Sequence, residues 1–147
     1  MMISSAVHPK THQTFEDAYV RSIYNKIARH FSDTRSYKWS WVTEFVTSFP
    51  KGSMIYDIGC GSGRNMEYDD YSFVGVDNCA EFLSICRSKK LNVVESNMTS
   101  LPFEDESTDG LMCIAAFHHL CHEERRLDAL REMRRVIRDD GRILISV

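Results

Sequence analysis

Apolar residues recur at helical spacing near the start of the chain: Tyr19, Ile23, Ile27 and Phe31 lie four apart, which predicts an amphipathic helix over residues 15–31. A polar stretch, 32–40, leads to a second predicted helix over 41–49, with Trp41, Val42, Phe45, Val46 and Phe49 on its apolar side. Pro50, Gly52 and Ser53 break the pattern. Beyond them the period changes. Residues 54–58 and 72–76 are short apolar runs suited to buried strands, 92–95 predicts a third strand and 111–116 a fourth, opened by turn residues 105–110. Phe82, Leu83, Ile85 and Cys86 stripe a helix over 80–89. Leu127, Leu130, Met133 and Ile137 are expected to face inward from a helix over 122–138, stopped by Asp139, Asp140 and Gly141. Residues 142–147 predict a fifth strand. No internal repeat or low-complexity segment interrupts this order.

Strands alternating with helices imply a parallel sheet with right-handed crossovers, because parallel neighbours cannot be joined by a tight turn. In such sheets ligands bind beyond the carboxyl ends of the strands, where the strand order reverses. At 147 residues the chain is long enough for one core, read as a polar tail over 1–13 and a single domain over 14–147. The apolar runs fall far short of the ~20 residues a membrane span needs, and 1–13 lacks the apolar core of a signal peptide. Five cysteines without a CxxC pair read as reduced thiols, pointing to a cytoplasmic, possibly also nuclear, protein. The net charge of −3 supplies no general attraction to nucleic acid, so any RNA contact needs a local patch.

The stretch YDIGCGSGRN places Asp57, Gly59, Gly61 and Gly63 at the carboxyl end of the first predicted strand. By itself this is either a strand-to-helix connection or a turn that brings backbone close to a ligand. Asp77, at the end of the second strand, stands where a carboxylate could accept the hydroxyls of a ribose. The dinucleotide pattern GxGxxG is not met, since Arg64 and Met66 occupy the positions its last glycine would take.

The pattern D-x-G-x-G-x-G resembles motif I of the class I S-adenosylmethionine-dependent methyltransferases, and Asp77, Asn97-Met98 and LPFEDESTDG follow in that family's order. The resemblance implies a Rossmann-like α/β fold, a mostly parallel sheet of order 3-2-1-4-5 flanked by helices, with S-adenosyl-L-methionine as cofactor. It places Gly59, Gly61 and Gly63 beside the methionine moiety, with Asp57 ordering the turn. Asp77 takes the ribose hydroxyls, and Asn97 and Met98 lie at the adenine. Sheets of this class resemble seven-stranded ones, so the domain is expected to be incomplete at its C-terminus. Two longer segments, YNKIARHFSDTRSYKW and IAAFHHLCHEERRLDALREMRRVIRDDGRILI, are similar to the eukaryotic tRNA wobble-uridine methyltransferases, which methyl-esterify 5-carboxymethyluridine in the anticodon. That similarity implies a tRNA substrate bound through its anticodon loop. It also implies a small zinc-binding activator subunit, forming a heterodimer by adding a strand near 92–95.

A carboxylate acceptor is already ionised at neutral pH, so methyl transfer to it asks for approach and alignment rather than a strong base. His118, at the end of the fourth strand, and Arg35, between the first two helices, are the catalytic candidates, orienting the acceptor or clamping a phosphate. A structural role competes for each, and for His119 it is the preferred reading. The group His118, His119, Cys121 and His122 lacks a second ligand pair at zinc spacing, so no metal is expected. Arg125, Arg126, Arg131, Arg134, Arg135 and Arg138 interleave with acids, which favours an ion-paired helix face over an RNA-binding stripe. Two alternatives stay open on these residues: a methyltransferase for a small-molecule acid or quinone, and a catalytically silent binding subunit of the same fold.

Overall fold

The computed structural model describes residues 38–147, apart from the side chain of His118; the segment expected to be helical over 15–31, the tail 1–13 and Arg35 lie outside the described residues. Five strands form one sheet: β1 (Met54–Ile58), β2 (Ser72–Asp77), β3 (Val93–Glu95), β4 (Thr108–Ile114) and β5 (Ile137–Ser146). They pair in the order β3-β2-β1-β4-β5, and every pairing is parallel. The order expected from sequence is thus the order found. The chain reverses its direction of winding between β1 and β4, which sets the switch-point crevice at the carboxyl ends of those two strands.

The helices are α1 (Ser40–Thr47), α2 (Ala80–Ser88) and α3 (Glu123–Val136). Val42 and Val46 of α1, with Phe49, pack on Ile55, Met112 and Ile114. Ala129, Met133 and Val136 of α3 join Tyr56, Ile58, Val76, Leu111 and Cys113 in a second cluster. Residues of β1 and β4 enter both clusters, so the central strands are covered on both faces and read as continuous apolar runs. Each fully buried Leu, Ile, Val or Met contributes about 1.5–3 kcal/mol of transfer free energy.

Three expectations change. First, Leu127 and Leu130, expected to point inward, are 42% and 39% exposed, while Ala129 and Met133 are wholly buried. The contact line of α3 is Ala129, Met133 and Val136, in which the small alanine permits close approach to the sheet. Second, β4 begins at Thr108, within the residues read as a turn, because the Thr108 hydroxyl is satisfied internally by Met54 O at 3.0 Å and Gly110 O at 2.8 Å. Third, Asp139-Asp140-Gly141 does not stop the helix. α3 ends at Val136 and β5 starts at once, with Thr108 opposite Ile137 but Gly110 opposite Arg142. The extra residues of β5 form an irregularity in which Asp139 and Arg138 meet Arg134 and Asp109, at 3.1 and 2.6 Å.

The segment between β3 and β4 is held by α3. Arg135 pairs with Glu132 at 2.6 Å and Asp105 at 2.9 Å, and donates to Leu101 O and Phe103 O at 3.0 and 2.6 Å. Glu132 in turn accepts from Leu101 N at 2.8 Å. The guanidinium beside Glu132 holds its carboxyl below the ordinary value. Ion pairs join Arg131, Arg134 and Arg135 of α3 to acids, as expected of a solvated helix face, and Arg138, which lies in β5, pairs with Asp109.

Candidate cofactor and substrate site

The carboxyl ends of four strands surround a cavity of about 330 Å³. The β1 end supplies Ile58 and the turn Gly59 to Ser62, and the β2 end supplies Asp77 and Asn78. Asn97 and Met98 come from the segment after β3, and Ala115, Ala116 and His119 from the segment after β4. Trp39, Arg64 and Arg125 complete the rim. This is the switch-point crevice, and it is of the size that small-molecule sites usually have, ~300–1000 Å³.

The turn after β1 is shaped by contacts that exclude a side chain. Gly59 has φ of 74°, and a Cβ there would stand 2.4 Å from the Cβ of Ala116. Its N–H and that of Cys60 both donate to Val76 O, at 2.7 and 3.0 Å, so the turn folds back over the end of β2. Gly63, with φ of 85°, faces away from the cavity, where a Cβ would meet Leu91 and Cys86 at 2.4 and 3.0 Å. It follows that Gly59 and Gly61 line the cavity while Gly63 makes room for packing on α2.

The two aspartates divide their work differently from the expectation. Asp77 orders the turn: its Oδ2 accepts from Gly61 N at 2.9 Å and its Oδ1 from Cys79 N at 2.8 Å. It also lines the cavity, and a carboxylate oxygen accepts more than one hydrogen bond. Asp57 lies beneath the lining, 1% exposed, with Oδ2 buried and without a hydrogen-bond partner. Burial, and then the charge of Asp77, push its carboxyl up to about 7.

Side chains join the segments after β2 and β3, since Asn78 donates to the Asn97 side-chain oxygen at 3.0 Å. After β4, Ala115 takes φ of 53°, a left-handed conformation unusual for alanine, and a short 3-10 turn, Phe117–His119, follows. The strained alanine turns the chain so that Ala116 backs Gly59 and His119 reaches the cavity. His119, expected to be structural, is therefore a lining residue. The side chain of His118 lies outside the described residues, as does Arg35. His122 caps α3, its Nδ1 accepting from Glu124 N at 3.2 Å.

Among the described residues, sequence reasoning missed Trp39, Arg64, His119 and Arg125 as lining residues. Two buried thiols near Asp57 are held in the neutral form. Its hydrogen bond to Cys86, with burial, pushes the Cys60 thiol up, and burial pushes that of Cys113 up to about 12.

S-adenosylmethionine fits this arrangement. A glycine turn crowded by Ala116 lets backbone approach a ligand, Asp77 and Asn97 offer polar contacts, Met98 and Phe82 offer apolar ones, and Asp57 holds an unanswered buried oxygen.

Comparison with known proteins agrees with the geometry. Residues 56–145 match the family described as Methyltransferase domain. The chain is 38% identical over 135 residues to the tRNA (carboxymethyluridine(34)-5-O)-methyltransferase alkbh8 of Xenopus tropicalis, covering 91% of this chain and 22% of that protein. It is 38% identical over 145 residues to the tRNA (carboxymethyluridine(34)-5-O)-methyltransferase of Arabidopsis thaliana, covering 98% of this chain and 36% of that one. This chain thus spans only about a fifth to a third of those relatives' length. A Haloferax volcanii methyltransferase, solved in complex with the Trm112 methyltransferase activator, shares the fold with a TM-score of 0.71 at 22% identity, over 83% of this chain and 57% of that one. With the sheet order, the switch-point cavity and the family match in agreement, this chain belongs to the methyltransferase domain family and has the class I, Rossmann-like fold.

Proposed function

We propose that this protein uses S-adenosylmethionine to methyl-esterify 5-carboxymethyluridine at the wobble position of tRNA. The observation that carries this reading is the 38% identity to proteins named for that reaction, extending over nine-tenths or more of the chain. The cavity supports it. Asp77 lies on the β2 side, where it serves the ribose, and Asn97 and Met98 lie on the β3 side, where they serve the adenine. Gly59 and Gly61 lie beside the methionine portion, and Gly63 keeps the turn seated on α2. On the β4 side, His119 and Arg125 are placed to receive an anionic substrate group, with Trp39 offering an aromatic face to a base. His118 and Arg35 remain substrate-side candidates from the sequence pattern.

When bound, S-adenosylmethionine supplies an electrophilic methyl group. The protein's part is to hold a substrate carboxylate in line with that group and to keep water out, which are effects of position rather than of proton transfer. A donor contacting one carboxylate oxygen leaves the other available to attack, whereas a clamp on both reduces its nucleophilicity.

A small activator subunit belongs in this reading, docked by strand addition on β3, an edge of the described sheet. Its support is the Haloferax volcanii complex, whose methyltransferase chain has the same fold. The test treats tRNA carrying 5-carboxymethyluridine with the chain, the activator and labelled cofactor, then analyses nucleosides by mass spectrometry. Appearance of the methyl ester nucleoside is the expected result. Label on a small acid, or none on tRNA while cofactor still binds, overturns the substrate assignment.

A further inference from the structure

The buried polar side chains among the described residues are Asp57 and Thr108. Thr108 is satisfied by two backbone carbonyls, but Oδ2 of Asp57 has no partner. A carboxylate at the centre of a parallel sheet is costly to bury, and an apolar side chain would serve the sheet better. The fold therefore gains nothing evident from Asp57. The neighbouring cavity does, because Ile58 and Gly59, the next two residues, line it.

The groups facing Asp57 sharpen the point. Asp77 from β2 adds a second negative charge, and the thiols of Cys60 in the turn and Cys113 on β4 are held neutral beside it. Arg64, Arg125 and His119 line the same cavity, while burial and the charge of Asp77 are what act on the Asp57 carboxyl. A cation entering the cavity meets Asp77 in the lining, with the carboxyl of Asp57 buried beneath it.

We propose that Asp57 makes the cavity prefer a cationic occupant to its neutral counterpart, by giving up a proton as the cation enters and taking one back when that charge is lost. This rests on the reading of S-adenosylmethionine as the cofactor. Methyl transfer leaves the electron pair of the broken C–S bond on sulfur and joins the methyl carbon to a substrate carboxylate oxygen. The sulfonium's positive charge and the acceptor's negative charge are lost together, and once the neutral ester leaves, Asp57 faces a thioether in place of a sulfonium. Asp57 answers the loss of the sulfonium by taking back from solvent the fraction of a proton that it holds in the ligand-free cavity. The thioether product then faces a carboxyl group that is in part uncharged and is held less tightly, which favours its exchange for fresh cofactor.

The direction of the pH dependence follows. With the ligand-free carboxyl up at about 7, the empty cavity holds roughly half a proton at Asp57 at neutral pH. Binding of the cation selects the ionised form. Affinity for S-adenosylmethionine therefore falls as pH drops below 7 and levels off above it, by up to about tenfold per pH unit on the falling side.

Calorimetry of S-adenosylmethionine and S-adenosylhomocysteine binding, in two buffers of different ionisation enthalpy between pH 6 and 7, counts the protons. The full chain should release about half a proton at pH 7 and close to one at pH 6 on binding the sulfonium, and clearly less on binding the thioether. Asp57→Asn should remove that difference and narrow the preference between the two ligands. His119→Asn should leave it, which excludes the imidazole on the same cavity as its source. Equal proton counts for the two ligands in the unaltered chain overturn the proposal while the cofactor reading stands. Failure of both ligands to bind overturns both together. Where Asp57→Asn does not fold, the unaltered chain still decides: release that does not grow from pH 7 to pH 6 contradicts the linkage.

Discussion

Asp77 uses both carboxylate oxygens on backbone N–H groups, those of Gly61 and Cys79, and still lines the cavity. Its removal should therefore act twice. Asp77→Ala leaves two N–H groups without their acceptor and takes away the expected partner of the ribose, so cofactor affinity should fall by about 1–3 kcal/mol. Calorimetry on the folded variant checks this, and unchanged affinity would remove Asp77 from the site. Asp57 gives a different signature. Its folded carboxyl lies at about 7 against an ordinary 3.8, so the folded protein binds more protons than the unfolded chain between those values. The stability this group allows is present below about pH 4 and is lost as pH rises through about 7. Asp57→Asn, uncharged throughout, should raise the melting temperature of the ligand-free protein more at pH 8 than at pH 5. A constant difference across that range would show that Asp57 is already ionised in the fold. Both aspartates were legible in the sequence because they sit at strand ends in one local pattern. Their division of labour was not, since which carboxylate reaches the turn depends on how β1 and β2 pair. Trp39, His119 and Arg125 were visible as single residues but not as members of one site, because only the fold brings the segment before α1, the turn after β4 and the first turn of α3 to one cavity.

At the scale of elements, the strands were legible from short apolar runs, and the helix phases less so. A reading of α3 that sends its largest apolar residues inward chooses Leu127 and Leu130, yet the sheet accepts Ala129 because a helix approaches closely only over a small side chain. Exposed leucines and a buried alanine are a packing outcome that periodicity alone does not settle. The polar side of α3 carries a more specific task. Arg135 draws the segment after β3 onto the helix through Leu101 O, Phe103 O, Asp105 and Glu132. That segment begins just after Asn97 and Met98, so α3 helps fix the β3 side of the cavity. Arg135→Ala should cost about 1–3 kcal/mol, more than a lone surface ion pair, because two carbonyls lose their donor. Chemical denaturation measures it. A loss below ~0.5 kcal/mol would mean that water replaces the guanidinium without penalty.

For the whole molecule, the open question is how the edges of the sheet are used. β3 is an edge strand among the described residues, and the ladder joining it to β2 fixes which of its groups point outward. Gly75 donates to Asn92 O at 2.9 Å and Ser96 donates to Asp77 O at 3.1 Å, with Gly75 opposite Val93 and Asp77 opposite Glu95. In a parallel pair with that register, residues 92, 94 and 96 serve the ladder, so the N–H of Val93 points to the outer side. An activator that adds a strand there needs this N–H as a donor, while β2 and the cavity do not. Val93→Pro removes the donor without touching the inner ladder, and proline is tolerated at the first residue of an edge strand. The variant should therefore keep cofactor affinity within about twofold and its thermal stability within a few degrees, but fail to co-purify with the activator. Val93→Ala, which keeps the N–H and loses only side-chain packing, should still co-purify. Retention of the partner by Val93→Pro would place the docking surface elsewhere; the exposed leucines of α3 and the apolar side chains of β5, Ile143 and Ile145, would then be the next surfaces to substitute.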